Sequence, residues 1–307
     1  MKKTLILKSD RDEFEKYFLE NMQNKYCTTL PYYKDIASRG YLRYLAVLWM
    51  EKLNLPFQFI WYGSWKKELD QYEQVIIFDR VWGKKILSYI HKKAPQARII
   101  FWYWNALLNK KVLPTKYRKF CECWSFDSYD VDRYQMNYNH MFYFPDKCCK
   151  QECMYDAFFV GADKGRVPIL KKMGEIFQEN NLEVKLIVVG KNKEQDSRIS
   201  FQEENYGYIH YLELLKNSRC IIDIVQEGQE GVTIRIIEAL MYEKKIITTN
   251  KNLKKYEFYS EDNIFIWGER SCEELIKFVK TPYKKIDEQL KKMYSFEQWL
   301  KNFEVKI

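Results

Sequence analysis

The stretch CIIDIVQEGQEGVTIRIIEALMYEKKIITTN, Cys220 to Asn250, constrains the fold more than any other part of the chain. Cys220–Val225 is a short apolar run rich in β-branched residues, the pattern of a strand buried on both faces of a parallel sheet. Gln226–Gly231 is polar with two glycines and reads as a loop. Val232–Tyr242 sets Val232, Ile236, Ile237 and Leu240 at helical spacing, and Lys245–Thr249 returns to β character. Strand, loop, helix and second strand make a parallel α/β unit. Its loop lies beyond the carboxyl end of a strand, where open α/β sheets bind ligands. The unpaired N–H groups and dipole of the following helix favour phosphate there.

Two carboxylates bracket this turn, Glu230 in the loop and Glu238 two turns into the helix. Carboxylates repel phosphate but accept hydrogen bonds from sugar hydroxyls. A helix start for a diphosphate, flanked by two hydroxyl acceptors, suits a sugar nucleotide. Two solvated surface glutamates would give the same spacing in a chain with 30% charged residues.

EGVTIRIIEALMYEKKIITTN resembles the E-x7-E segment of GT-B glycosyltransferases, and is most similar to a bacterial group that builds capsule, exopolysaccharide and lipopolysaccharide. Gly231, Thr233, Arg235, Glu238 and the run Lys244–Asn250 carry the likeness, with Val232 where leucine is more usual. The resemblance implies an α/β, GT-B fold: two Rossmann-like domains facing each other across a cleft. By it, Glu238 holds the nucleotide ribose, Glu230 the donor sugar, and Gly231 and Thr233 face the diphosphate. It also implies transfer with retention at the anomeric carbon.

The rest of the chain repeats the α/β pattern. Thr4–Lys8, Gln74–Phe78, Arg98–Trp102 and Phe120–Phe126 are expected strands, with Phe57–Trp61 a further one, and Trp82–Lys93 an expected helix. Asp79 and Asn105 then sit at carboxyl ends of strands, and Asp127 follows the last of these. With Glu230 they are the candidate catalytic residues. Asp127 and Asp130 also match an FD-x-x-D signature of the resembling group, and a helix-capping role is equally available to Asp127. Tyr32–Lys52 reads as a helix, its aromatics packing in the core or, with Lys34, Arg39 and Arg43, touching a lipid surface. Pro145 to Gln151 reads as a linker, giving domains over 1–150 and 151–307, which the resemblance makes acceptor-binding and donor-binding in turn. The final helix is expected to pack back toward the first domain.

In the second domain, Asp156–Val160 is a strand, residues 161–166 a glycine-bearing basic loop, and Pro168–Asn180 a helix with proline in its first turn. Gly161, Lys164 and Arg166 therefore flank a second phosphate-suited turn, and the resemblance agrees. Val184–Val189 is a strand, and 191–205 a polar loop. By the same resemblance, Tyr208 and Ile209, just before an expected helix at Tyr211–Ser218, are candidate base contacts. With Gly231, Val232, Thr233, Arg235 and Glu238 they complete the donor-binding set. His210 reads most simply as structural.

Charge is uneven. Residues 1–150 carry 26 Lys+Arg against 16 Asp+Glu, and residues 151–307 carry 25 against 26. The basic half suits an anionic membrane surface or nucleic acid, but no nucleic-acid motif occurs. The expected partners are thus a nucleotide-sugar donor, a glycan or lipid-linked acceptor and an anionic membrane, with no nucleic acid. No run of about 18 apolar residues is present, and Met1–Phe14 reads as a first strand rather than an export signal. The expected location is cytoplasmic, peripheral to the membrane's inner face, so the eight cysteines are expected to be free thiols. Neither cofactor nor metal is expected. Two alternatives remain: a nucleotide- or nucleic-acid-binding protein without catalysis, and a metal-dependent GT-A enzyme using Asp130 and Asp132. The absence of G-x-G-x-x-G after any strand argues against a dinucleotide oxidoreductase.

Overall fold

The computed structural model describes residues 1–34, 45, 49, 52–53, 55–79, 84–108, 112–144, 153–190, 196–204 and 206–304. They form two compact units, one of Met1–His140 with Leu300–Ile307 and the other of Met141–Trp299.

The first unit is built on β1 (Thr4–Lys8), α1 (Glu13–Asn21), β2 (Cys27–Pro31), β3 (Gln74–Phe78), α2 (Lys84–Lys93), β4 (Arg98–Tyr103), β5 (Glu122–Ser125), α3 (Ser128–Tyr134) and β6 (Asn137–Tyr138). Its sheet runs β2-β1-β3-β4-β5-β6, and every pairing is parallel. Leu5, Leu7, Val75, Ile77, Ile99 and Phe101 supply one core. Each such side chain contributes about 1.5–3 kcal/mol on burial. Asp12 caps α1 by accepting from Glu15 N at 2.9 Å. At the C-terminal end, Phe303 packs edge-on against Trp124 at 4.8 Å.

The second unit contains β7 (Tyr155–Ala162), α4 (Val167–Glu179), β8 (Val184–Val189), β9 (Ile199–Gln202), α5 (Tyr208–Lys216), β10 (Ser218–Asp223), α6 (Ile234–Met241), β11 (Lys245–Thr248), β12 (Ile264–Ile266) and α7 (Cys272–Lys280). The sheet order is β12-β11-β10-β7-β8-β9, again wholly parallel. Phe159, Ile222, Ile247, Leu170 and Phe177 lie in its core. Ser271 and Glu274 form a reciprocal capping box at α7.

The structure departs from the sequence reading at sheet edges. β2, β6 and β9 are additional to the expected strands, and β9 falls inside the stretch read as polar loop. Each is an outermost or terminal strand of its sheet, short and partly polar because only one neighbour pairs with it, so it carries no apolar run to detect. The Phe57–Trp61 strand is a 3-10 turn over Gln58–Ile60, entered through Phe57 at φ 64°. There the polar Gln58 is buried and Phe57, Phe59 and Ile60 are exposed, the reverse of an apolar strand. The helix read over Tyr32–Lys52 lies largely outside the described residues, as do Arg39, Arg43, the linker from 145 to 151, Cys148 and Cys149. Tyr32 and Tyr33, offered as lipid contacts, are buried. The six described cysteines are free thiols. Among the described residues no helix is long and apolar enough to cross a membrane.

Candidate functional site

The donor candidates gather at the carboxyl edge of the second unit's sheet, where β7, β10 and β11 end. Asp223, the last residue of β10, is fully buried. It accepts from Thr233 Oγ1 at 3.1 Å and Thr248 Oγ1 at 3.4 Å, and lies 3.7 Å from Arg235 Nη1. Arg235 also donates through Nη2 to the carbonyl of Val160 at 2.9 Å. Beside it, buried Arg166 donates from Nε to Ile224 O at 2.7 Å and from Nη1 to Ala162 O at 3.0 Å. Burial first, and then the neighbouring Arg235 charge, push the Arg166 guanidinium down to about 10. A methyl group on Gly161 would stand 2.7 Å from Arg235 Nη2 and 3.7 Å from Arg166 Nη1. Glycine at 161 therefore makes room for two guanidiniums side by side, with one buried carboxylate behind them.

The two turns differ in what their N–H groups do. In the 161–166 turn, Asp163 Oδ1 accepts from Arg166 N at 3.1 Å and Val167 N at 3.3 Å, so α4 begins with its own carboxylate cap. Lys164, at φ 45°, is exposed. At α6 the N-cap Thr233 turns its hydroxyl to Asp223 and makes no side-chain cap, which leaves the first turn of α6 suited to an anion. Its approach loop is clamped from below: buried Asn250 donates from Nδ2 to the carbonyls of Glu230 and Gly231, each at 3.2 Å. Val232 is buried in the core, so its contribution to a ligand is through backbone.

Glu238 sits on α6 with 1% exposure. Tyr208 Oη donates to Oε1 at 2.7 Å, and Tyr211 Oη donates to Oε2. The two rings stack at 5.6 Å. Tyr143 Oη lies 3.5 Å from Tyr208 Oη and from Tyr242 Oη, closing a buried hydroxyl cluster. Burial raises the Glu238 carboxyl to about 7 against the opposing pull of the two tyrosine hydrogen bonds and Arg235. Tyr208 and Ile209 lie in the first turn of α5 rather than before it, with Ile209 exposed. Gly161, Arg166, Thr233 and Arg235 thus share one cluster centred on Asp223, and Tyr208 and Glu238 share a second. The charges of Arg235 and Asp223 both reach Glu238. Lys164 and Ile209 point outward.

In the first unit, Asp79 follows β3 and accepts from Trp104 N at 3.0 Å, across to the end of β4. Asn105 is exposed. Asp127 is fully buried and is the N-cap of α3, accepting from Tyr129 N at 3.1 Å and Asp130 N at 3.4 Å. Asp130 is buried with Oδ2 on Leu107 N at 2.8 Å, whereas Asp132 is exposed. The D-x-D pair therefore does not converge. Among the described residues no three His, Cys, Asp or Glu side chains are grouped to hold a metal ion.

Four polar residues stand out in the structure that the sequence did not single out. Asp223 is visible as an acid closing an apolar strand, Tyr211 as the residue one helical turn after Tyr208, and Asn250 as the end of the resembling run. Lys8, at the end of β1, is buried against Phe14, Phe78 and Trp104 and lies 4.0 Å from Glu15. Burial brings its ammonium down to about 8. Nothing in its sequence context distinguishes it from a surface lysine.

Solved structures share this architecture along nearly the whole chain. A lipopolysaccharide outer core galactosyltransferase, WaaB, aligns over 98% of this chain and 97% of its own, with 12% identity and a TM-score of 0.51. The fold is GT-B. Anabaena HepE, solved with UDP-glucose, aligns over 99% of this chain and 100% of its own at 10% identity and a TM-score of 0.57. An α-glucosyltransferase solved with UDP and a 13-mer DNA aligns over 97% and 95% at 9% identity and a TM-score of 0.54. No family model matches the sequence. Among curated proteins, the phosphopantetheine adenylyltransferases of two Legionella pneumophila strains are 27% identical over 115 residues, 34% of this chain. The match spans 65% of those relatives' length.

Proposed function

We propose that this chain is a glycosyltransferase that moves a sugar from a nucleotide donor to a glycan acceptor. The observation that carries the reading is the pair of guanidiniums, Arg166 and Arg235, beside Gly161 at the carboxyl edge of a parallel sheet, one turn of α6 from the buried Glu238. Their charge matches a leaving nucleoside diphosphate. Fixed cationic donors aimed at developing charge are the main catalytic device such a site offers. They supply what a divalent cation would, so the reaction is expected to proceed without metal.

In this reading the diphosphate lies over the first turn of α6, between Gly231–Thr233 and the two arginines, with Lys164 adding charge from the facing turn. Glu230 holds the donor sugar, its loop fixed by Asn250. Both oxygens of Glu238 already accept from tyrosines, so a ribose hydroxyl reaches it by replacing the Tyr208 hydroxyl. The Tyr208 ring and Ile209 then flank the base. HepE and the α-glucosyltransferase were solved with UDP-glucose and with UDP, which makes UDP the first nucleotide to try. Asp79 and Asn105, at the ends of adjacent strands, are the acceptor-side candidates, and Asp127 acts by positioning α3. The E-x7-E resemblance favours retention of configuration.

We assign the acceptor to the first unit and to a lipid carrier at an anionic membrane. Leu53, Leu55, Phe57, Phe59 and Ile60 are exposed there. The turn carrying them is held by Lys66 Nζ on Phe59 O at 2.8 Å and Lys85 Nζ on Leu55 O at 2.6 Å. Exposed apolar side chains ringed by lysines suit an interface with anionic lipid. The test is incubation with a panel of nucleotide sugars and lipid-linked acceptors in EDTA. Release of one free nucleotide with a glycosylated product supports the proposal. Release of none from any donor, with metal or without, overturns it.

A further inference from the structure

The amino edge of the second unit's sheet carries a separate pocket. It lies where β10 and β11 begin, at Ser218 and Lys245, and where α7 ends, at Lys280. Asp223 and Thr248 close the opposite ends of the same strands, so this cavity is not part of the donor site. Its volume is about 310 Å³, at the small end of the range of ligand pockets.

Four cationic side chains, Arg219, Lys244, Lys245 and Lys280, line it against a single carboxylate, Glu243. That carboxylate already has a counter-ion, Lys291 Nζ at 2.8 Å. Lys245 gives all three protons to the end of α7: Phe278 O at 2.5 Å, Thr281 O at 3.1 Å and Thr281 Oγ1 at 2.6 Å. It contributes field only. Lys244 donates to Lys216 O at 2.6 Å and meets the Cys153 sulfur at 3.7 Å, a weak acceptor that a better one would displace. Arg219 is half exposed, with Nε 3.5 Å from Asp156, and Lys280 is exposed.

The remaining wall is Tyr283. Its hydroxyl is buried and has no hydrogen-bond partner among the described residues. An unsatisfied buried hydroxyl is uncommon and calls for a missing partner. The charges that act on the hydroxyl are the carboxylates Glu243 and Glu288, both held by Lys291; a water molecule would satisfy the hydroxyl and leave the lining cations Lys244 and Lys280 unanswered. An oxyanion answers both.

We infer that this pocket binds the phosphate group of a small phosphate-bearing molecule, through the Tyr283 hydroxyl, Lys244 and the outer cations Arg219 and Lys280. Charge-assisted hydrogen bonds from several donors to one group with several acceptor oxygens are the strong kind. The phosphate could be borne by a soluble ester or by a lipid headgroup, and the experiment separates the two.

The measurement is thermal unfolding of the full chain against inorganic phosphate, with ionic strength held constant by chloride. A ligand that binds the folded state raises the transition temperature with its concentration. The wild type is expected to respond at millimolar phosphate. Tyr283→Phe removes only an unpaired hydroxyl and should fold at least as well, while needing about tenfold more phosphate for the same rise, the equivalent of one lost hydrogen bond. Arg219→Gln with Lys280→Gln should blunt the response further. Arg235→Lys, in the donor site, should remove only the share of the response that phosphate binding there contributes, and leave intact the share that the pocket variants abolish. No response to phosphate by the wild type, or a response that survives the pocket variants and vanishes in Arg235→Lys, would overturn the assignment. In a second arm, sedimentation with phosphatidylcholine vesicles containing phosphatidic acid assigns the phosphate to a lipid if wild type binds and Tyr283→Phe does not. Vesicles that bind both alike, through the apolar turn of the first unit, or that bind neither, with the phosphate response intact, assign it to a soluble ester.

Discussion

Replacing Glu238 with glutamine tests the physical state of the carboxyl at the centre of the second unit. Burial raises it from an ordinary 4.5 to about 7. A folded-state value above the unfolded one means the native state binds the proton more tightly. The stability due to protonated Glu238 is then fully present below 4.5 and is lost as pH rises through 7. At about 1.36 kcal/mol for each pH unit, the loss amounts to roughly 3 kcal/mol. The glutamine amide is a neutral group of the same shape, able to accept from one tyrosine hydroxyl and donate to the other. Glu238→Gln should therefore match wild type at pH 4.5 and exceed it by a margin that grows up to pH 7 and levels off near pH 8. For a unit of this size the margin corresponds to roughly 6–12 °C in transition temperature. The assay is differential scanning fluorimetry of both proteins across pH 4.5–9, reading the difference, since every other group titrates in both. A difference that stays constant with pH would show that Glu238 ionises normally inside the fold and would refute the reasoning.

Further outcomes follow from the same contacts. Tyr208→Phe frees Glu238 Oε1 for a ribose hydroxyl, so nucleotide affinity should hold or tighten, while Glu238→Ala should weaken it by about tenfold; titration calorimetry reads both. Gly161→Ala drives a methyl to 2.7 Å from Arg235 Nη2, a flexible side-chain end, so the fold should survive and nucleotide affinity fall by about tenfold. Asp127→Ala removes the α3 cap and should cost about 1 kcal/mol of stability, measured by urea unfolding, without altering nucleotide affinity. Phe57→Ser with Phe59→Ser should reduce sedimentation with anionic vesicles while leaving the transition temperature nearly unchanged.

Sequence carried the parallel α/β plan because its central strands are continuous apolar runs. VKLIVV over β8 and QVIIF over β3 coincide with the observed strands. The turn that ends in α6 was legible for the same reason, since a buried strand, a glycine loop and a helical stripe follow each other without interruption. The edge strands β2, β6 and β9 were not, because each owes its form to one paired neighbour rather than to its own hydrophobicity. At the site, residue types were legible and their partners were not. Arg166 and Arg235 are 69 positions apart in sequence, and only the parallel pairing of β7 with β10 brings their anchors, Ala162 and Val160 on one strand and Ile224 after the other, to one edge. The tyrosine cover on Glu238 was hidden likewise: α5 begins at Tyr208, earlier than its apolar spacing indicated, and that start sets Tyr208 and Tyr211 one turn apart on the face that meets α6.

The central claim is that the carboxyl edge of the second unit binds a nucleoside diphosphate through Arg166 and Arg235 without a metal ion. Calorimetric titration of UDP, GDP and ADP in EDTA, on wild type and Arg235→Lys, tests it most directly. The account predicts saturable binding of one nucleotide by wild type and about tenfold weaker binding by Arg235→Lys, whose single ammonium cannot reproduce the guanidinium fork. Binding that appears only when manganese replaces EDTA, or that Arg235→Lys leaves unchanged, would contradict it.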